Sequence, residues 1–194
     1  PFGTPGYISL WRKEHGDGSN HDRYGASYFD PSGRGNINEF LDNYQFHYNR
    51  TKGLGHIAIP TGNHDSGPRL ATGRSLDETK LAFLFLLSMP GTPFIYYGDE
   101  IGMHSVEGLP SKEGGYQRTA IRTPMQWDGT ANAGFSSAPD SQLYLPIDPD
   151  PSRPTVEAQE AEGESLLQHV RKLIALRKDH PALCASGSFE VVYN

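Results

Sequence analysis

Apolar residues in this chain fall into two rhythms, short unbroken runs and longer stretches of helical period. The run "ASYF" (Ala26–Phe29) is followed by "NINEFLDNYQFHY", where Ile37, Phe40, Leu41, Tyr44 and Tyr48 share one helical face. Asn36 with Glu39 three residues later predicts a capping pair at its start. The β-branched run "HIAIP" (His56–Pro60) precedes "SLDETKLAFLFLLSMP", whose Ser75 and Glu78 form a capping-box pattern and whose Pro90 ends the helix. A third run, "PFIYY" (Pro93–Tyr97), leads into Asp99–Gly163, rich in Gly, Pro, Ser and Asp and without a long periodic segment. Periodicity returns in "SLLQHVRKLIALRKDHP", with Leu166, Val170, Leu173, Ile174 and Arg177 at helical spacing, Ser165 and Gln168 at its start and Pro181 after it.

Strands alternating with helices predict an α/β fold with a parallel sheet, because parallel neighbours need a crossover. Three such units cannot close a barrel of eight. The pattern therefore predicts either a small open sheet or the last part of a (β/α)₈ barrel, and in both a ligand sits at the carboxyl ends of the strands. Asp30, then Asn63, His64 and Asp65, then Asp99 and Glu100 all fall there. The long irregular segment after the third run reads as a functional loop.

Composition narrows the setting. A net charge of -6 argues against a nucleic-acid partner. The longest apolar run, Leu81–Leu87, is far too short for a membrane span, and the single cysteine, Cys184, excludes an internal disulfide framework. A cytoplasmic location is the expectation. The opening "PFGTPGYISLWRK" has neither an initiator methionine nor a leader pattern, and "GSFEVVYN" stops within an apparent strand. Both ends predict a fragment or one chain of a cleaved protein.

Several carboxylates at strand ends suit acid–base or glycoside chemistry. Asp30 in "FDPSG" reads as a turn residue, and Asp99 and Glu100 as rim carboxylates that pair with arginines, with Arg118 and Arg122 near in sequence. On chemistry alone Asp65 is balanced between a reactive and a capping role, and His64 between a core histidine and a substrate donor. Asn63 reads as shaping the turn. "HGDGSNHD" (His15–Asp22) is dense in oxygen and nitrogen ligands, but Tyr28 stands where a calcium loop opening at Asp17 requires glutamate, so calcium is not predicted and no cofactor is expected. "NRT" at Asn49 fits the glycosylation sequon. Trp11, Tyr96, Tyr97, Tyr116, Trp127 and Phe135 are candidates for sugar stacking, most of them for packing.

Taken in order, "IAIPTGNHD", "GTPFIYYGDEIGM", "RTPMQWD" with "NAGFS", and "SLLQHVRKLIALRKDHPAL" resemble the alpha-amylase family of retaining glycoside hydrolases and transglycosylases. The likeness runs from about Ala26 to the C-terminus. It implies the C-terminal portion of a (β/α)₈ barrel over residues 1–187, about strands and helices six to eight, with 188–194 entering a C-terminal β-domain. It also implies that Asp65 is the third catalytic carboxylate, binding sugar hydroxyls and helping distort the ring, with His64 donating to the same sugar. "RTPMQWD" is similar to members acting on chain ends or small disaccharides, such as alpha-glucosidases, oligo-1,6-glucosidases, trehalose synthases and sucrose isomerases. There the arginine matching Arg122 closes the pocket around a non-reducing glucose; an ion pair with Asp99 or Glu100 is its structural alternative.

Many relatives read "NHDxPR" where this chain reads "NHDSGPR", so Arg69, matched to a substrate-binding arginine, lies one residue further on. The family's nucleophilic aspartate and acid/base glutamate follow strands that this chain lacks. The resemblance thus implies an alpha-glucoside-active enzyme whose missing N-terminal part supplies both groups, acting on an alpha-glucan-derived oligosaccharide or disaccharide. The alternative is a non-catalytic family member serving as a binding or assembly subunit.

Overall fold

The helical period read at Ile37–Tyr48 becomes helix α1 (Asn38–Thr51) in the computed structural model, which describes residues 28–29, 37–65, 68–112 and 118–192. Phe40 and Tyr44, four apart on one face, are fully buried and stack with ring centres 5.5 Å apart. The Tyr44 hydroxyl, carried into that interior, donates to the Pro90 carbonyl at 2.6 Å. Ile37 stands at the cap position without a side-chain bond; Asn36 and the Glu39 side chain lie outside the described residues.

Strand β1 (Ala58–Pro60), helix α2 (Leu76–Ser88) and strand β2 (Thr92–Phe94) form the expected strand–helix–strand unit, with the two strands paired in parallel. The capping box is present: the Ser75 backbone N–H donates to Glu78 Oε2 at 2.7 Å, and the Glu78 N–H returns to Ser75 Oγ at 3.2 Å. β2 is shorter than "PFIYY" suggests, because the Tyr96 N–H goes to the Thr61 hydroxyl instead of a neighbouring strand. The expected strand at Ala26–Phe29 is corrected: its described residues, Tyr28 and Phe29, lie in a turn. The described part of the C-terminal "GSFEVVYN" also takes no strand; Phe189 there packs edge-on against Tyr44.

Inside the segment read as structureless lies a short helix, α3 (Val156–Ala161), capped by Thr155, whose Oγ1 accepts from the Ala158 N–H at 3.2 Å. Six residues are too few to show a period, which is why the pattern missed it. Helix α4 (Leu166–Asp179) matches its reading, with Leu166, Leu167, Val170 and Leu173 buried.

The chain forms two compact units. One comprises the described residues up to Ile59, Leu81–Phe94 and the chain from Ala175; the other comprises Pro60–Lys80 and Ile95–Ile174. In the first, Arg177 is nearly buried and clasps the corner before β2. Its Nη1 donates to the carbonyls of Leu87 and Met89, both at 2.8 Å, and its Nη2 to that of Gly91 at 2.6 Å. Gly91 has φ +118°, and a Cβ there would lie 2.5 Å from the Ile57 carbonyl, so only glycine fits this corner. In the second, Ile101, Met103, Met125 and Leu167 form a core that Val156 packs against. Gln159 ties it together, donating to the Ile101 carbonyl at 2.7 Å and accepting from the Leu167 N–H at 2.9 Å. Among the described residues no helix is long and apolar enough to cross a membrane.

Candidate active site

Everything that follows lies in the second unit. Thr61, the residue after β1, is buried; its hydroxyl donates to Asp99 Oδ2 at 2.6 Å and accepts from the Tyr96 N–H at 2.9 Å. One side chain thereby laces together the segments leaving both strands. Two residues on, Asn63 Oδ1 accepts from the Asp65 N–H at 2.7 Å, the short-range bond of an asparagine turn. That turn sets His64 and Asp65 outward, with side chains 67% and 50% exposed.

Three cationic or potentially cationic groups surround the Asp65 carboxylate. Arg118 Nη1 and Arg122 Nη2 both donate to Oδ1, the latter at 3.1 Å, and His64 Nε2 lies 3.3 Å from Oδ2. Arg122 also donates through Nε to the His64 carbonyl at 2.8 Å. The two arginines flank a short helical turn (Thr119–Ile121) whose Thr119 and Ile121 are buried, which fixes both on the same side. The Tyr96 and Tyr97 hydroxyls anchor that segment by donating to the carbonyls of Ile121 and Thr123, at 3.2 and 2.7 Å. Partial desolvation pushes the Asp65 carboxyl up, but the Arg118 hydrogen bond and the charges of His64, Arg118 and Arg122 outweigh it, and the net shift is below the usual carboxylate range.

Arg69, expected to bind substrate, lies inward of the Asp65 loop. Its side chain is wholly buried: Nη1 donates to the Tyr97 carbonyl at 2.6 Å, and the guanidinium lies 5.0 and 4.7 Å from the ring centres of Tyr96 and Tyr97. It is Arg69, rather than Arg118 or Arg122, that faces Asp99, with Nη1 at 3.8 Å from Oδ1. That is too long for a hydrogen bond, so burial prevails over the weak pairing and pushes the Asp99 carboxyl up to about 6. Burial raises Glu100 as well. Gly98, φ +85°, makes the tight turn between Tyr97 and Asp99; a Cβ there would drive into Met103 and sit 3.2 Å from Arg69 Nη1.

The structure thus gathers His64, Asp65 and Arg122 and separates Arg69 from them. Sequence reasoning missed Arg118 as an Asp65 partner and Thr61 as the lace between strand ends. The four-residue spacing of Arg118 and Arg122 across a turn was the available signal for the first. Asp30 and the His15–Asp22 stretch lie outside the described residues, and among those described no group of His, Cys, Asp or Glu is arranged to hold a metal. An ionised, half-exposed carboxylate beside two guanidinium forks can accept from sugar hydroxyls and stabilise positive charge. It is not a complete set for covalent glycosyl transfer.

Comparison with known proteins extends this geometry. The family model described as "Alpha amylase, catalytic domain" matches residues 33–186. The trehalose synthase/amylase TreS of Mycobacterium tuberculosis is 43% identical over 118 residues, covering 59% of this chain and 18% of that protein. The mouse amino acid transporter heavy chain SLC3A1 is 33% identical over 136 residues, 65% of this chain and 19% of that one. A solved variant of isomaltulose synthase from Erwinia rhapontici, in complex with D-glucose, superposes with TM-score 0.63 at 24% identity over 76% of this chain and 32% of its own. The chain spans under a fifth of the length of TreS and about a third of that solved chain.

Proposed function

The chain belongs to the alpha-amylase family, and from that premise we propose that it is the C-terminal portion of the catalytic barrel of a retaining glycoside hydrolase or transglycosylase acting on alpha-glucosidic bonds of small oligosaccharides or disaccharides. The observation that carries this reading is the Asp65 carboxylate, held ionised and half exposed on the loop after β1 by Arg118 and Arg122. Asp65 accepts hydroxyls of the sugar ring whose glycosidic bond breaks. Its charge gains value as that ring becomes oxocarbenium-like, so the interaction is stronger in the transition state than in the ground state. His64, exposed beside it, donates to the same sugar, and Arg122 bounds the pocket with its planar fork. The nucleophile and the acid/base of the double displacement come from the N-terminal part of the same enzyme. Turnover of an aryl alpha-glucoside by the full-length protein, lost in Asp65→Ala, tests the reading; undiminished activity in that variant overturns it.

The likeness to a protein named as a transporter heavy chain favours a second reading, a family member acting as a binding or assembly subunit. The same assay separates the two, since a subunit without catalysis turns over no alpha-glucoside.

A further inference from the structure

Asp65 and Arg122 meet near the surface, with side chains 50% and 19% exposed. An ion pair with an exposed member contributes little net attraction, so it does not by itself fix how its two segments stand. What sets their spacing lies deeper. Thr61, 2% exposed, donates its one hydroxyl proton to Asp99 Oδ2 at 2.6 Å, which turns the oxygen to accept from the Tyr96 N–H at 2.9 Å. Tyr96 in turn reaches with its own hydroxyl to the Ile121 carbonyl at 3.2 Å, and the buried Ile121 is the residue before Arg122.

These bonds close a ring. Arg122 returns to the Asp65 loop through the His64 carbonyl at 2.8 Å and the Asp65 carboxylate at 3.1 Å. The Asp65 N–H, bonded to Asn63 Oδ1 at 2.7 Å, brings the path back within two residues of Thr61. The buried part of the ring is costly to break, because a lost hydroxyl strands both the Asp99 carboxylate and the Tyr96 N–H away from water. Thr61 itself is buried with its donor taken, so it offers nothing to a sugar.

We propose that Thr61 is a positioning residue: through Tyr96 and Ile121 its buried hydroxyl sets where Arg122 stands relative to Asp65, and so how the Asp65 carboxylate meets the reacting sugar. In its catalytic consequence this inference rests on the function proposed above. The interaction at Asp65 strengthens as positive charge develops, so a slightly displaced carboxylate loses more in the transition state than in the ground state. Turnover, more than substrate affinity, is what Thr61 governs.

Thr61→Val keeps the branched shape and removes the hydroxyl. In the full-length protein on an aryl alpha-glucoside it should lower kcat about tenfold or more and move KM by less than about threefold. Thr61→Ser should restore turnover. In the Asp65→Ala background, where no carboxylate remains to be placed, Thr61→Val should cost less than about threefold. If the valine variant does not fold, Tyr96→Phe, which removes one hydroxyl at the next link, carries the same cycle. A second readout needs no catalysis. With 13C-labelled aspartate, the carboxyl resonance missing in Asp65→Ala should titrate about half a pH unit or more higher in Thr61→Val and Tyr96→Phe than in the parent, as the guanidinium groups drift away. An equal loss of kcat in both backgrounds, no rescue by serine, or an unmoved Asp65 titration overturns the proposal. Absence of turnover in the parent would sink the catalytic reading and leave the titration to decide the role of Thr61.

Discussion

Arg122 holds the Asp65 loop at two points, its Nη2 on the Asp65 carboxylate at 3.1 Å and its Nε on the His64 carbonyl at 2.8 Å. One planar group thus fixes both the charge and the backbone that presents it. Two atoms of a rigid fork constrain direction as well as distance, which a flexible ammonium does not.

On the proposed function, Asp65→Ala should lower the kcat of the full-length protein on an aryl alpha-glucoside by about 10²–10³-fold or more, the scale of removing a group that acts on developing charge. The side chain is half exposed, so the melting temperature should move by less than about 2 °C. Steady-state kinetics with a thermal melt checks both. A large loss of stability would make Asp65 a structural residue.

Arg122→Lys keeps the charge but cannot make both bonds at once. We expect kcat/KM to fall by about tenfold or more. Full activity in the lysine variant would mean that only charge is needed beside Asp65.

Asp99 supplies a pH dependence whose sign is opposite to that of a salt-bridged aspartate. Its folded value of about 6 lies above the ordinary 3.8, so the native state holds the proton more tightly than the unfolded chain. The stabilisation is full below the ordinary value, is lost as pH rises to about 6, and is constant beyond. Urea titrations of parent and Asp99→Asn should show the parent losing ground to the variant by something on the order of 2–3 kcal/mol between about pH 4 and 6.5. A difference that grows with pH would mean that the Arg69 charge prevails over burial after all.

Much of this arrangement was legible in the chain. The Ser75–Glu78 box, the face shared by Phe40 and Tyr44, and the Asn63 turn are local devices, written within four residues of one another and realised as read. The partners of the arginines were not legible. Arg69 and Asp99 lie 30 residues apart, Asp65 and Arg122 57 apart, and which cation meets which carboxylate is decided by packing around Tyr96 and Tyr97. The short strand β2 has the same origin. A hydroxyl from Thr61, 35 residues earlier, takes the N–H that strand pairing would otherwise use.

Arg177→Met should be among the costlier single changes in the first unit. It leaves the carbonyls of Leu87, Met89 and Gly91 without their buried donor, and we expect a loss of about 3–5 kcal/mol in chemical denaturation. Lysine should rescue little, because a point charge cannot span three acceptors. A loss under about 1 kcal/mol would show that water replaces the guanidinium freely.

The same clasp has a consequence for how the chain tolerates change and how it is made. Arg177 addresses only main-chain oxygens, so its three bonds do not depend on which side chains stand at Leu87 and Met89, and the lock they form comes from one codon far downstream. That codon follows by 86 to 90 residues. At about 5–20 residues per second of synthesis, the corner waits roughly 4 to 18 s on the ribosome before its lock emerges. During that interval the turn into β2 is held by bonds already synthesised, the Tyr44 hydroxyl on the Pro90 carbonyl and the Thr92 N–H on that of Ile57.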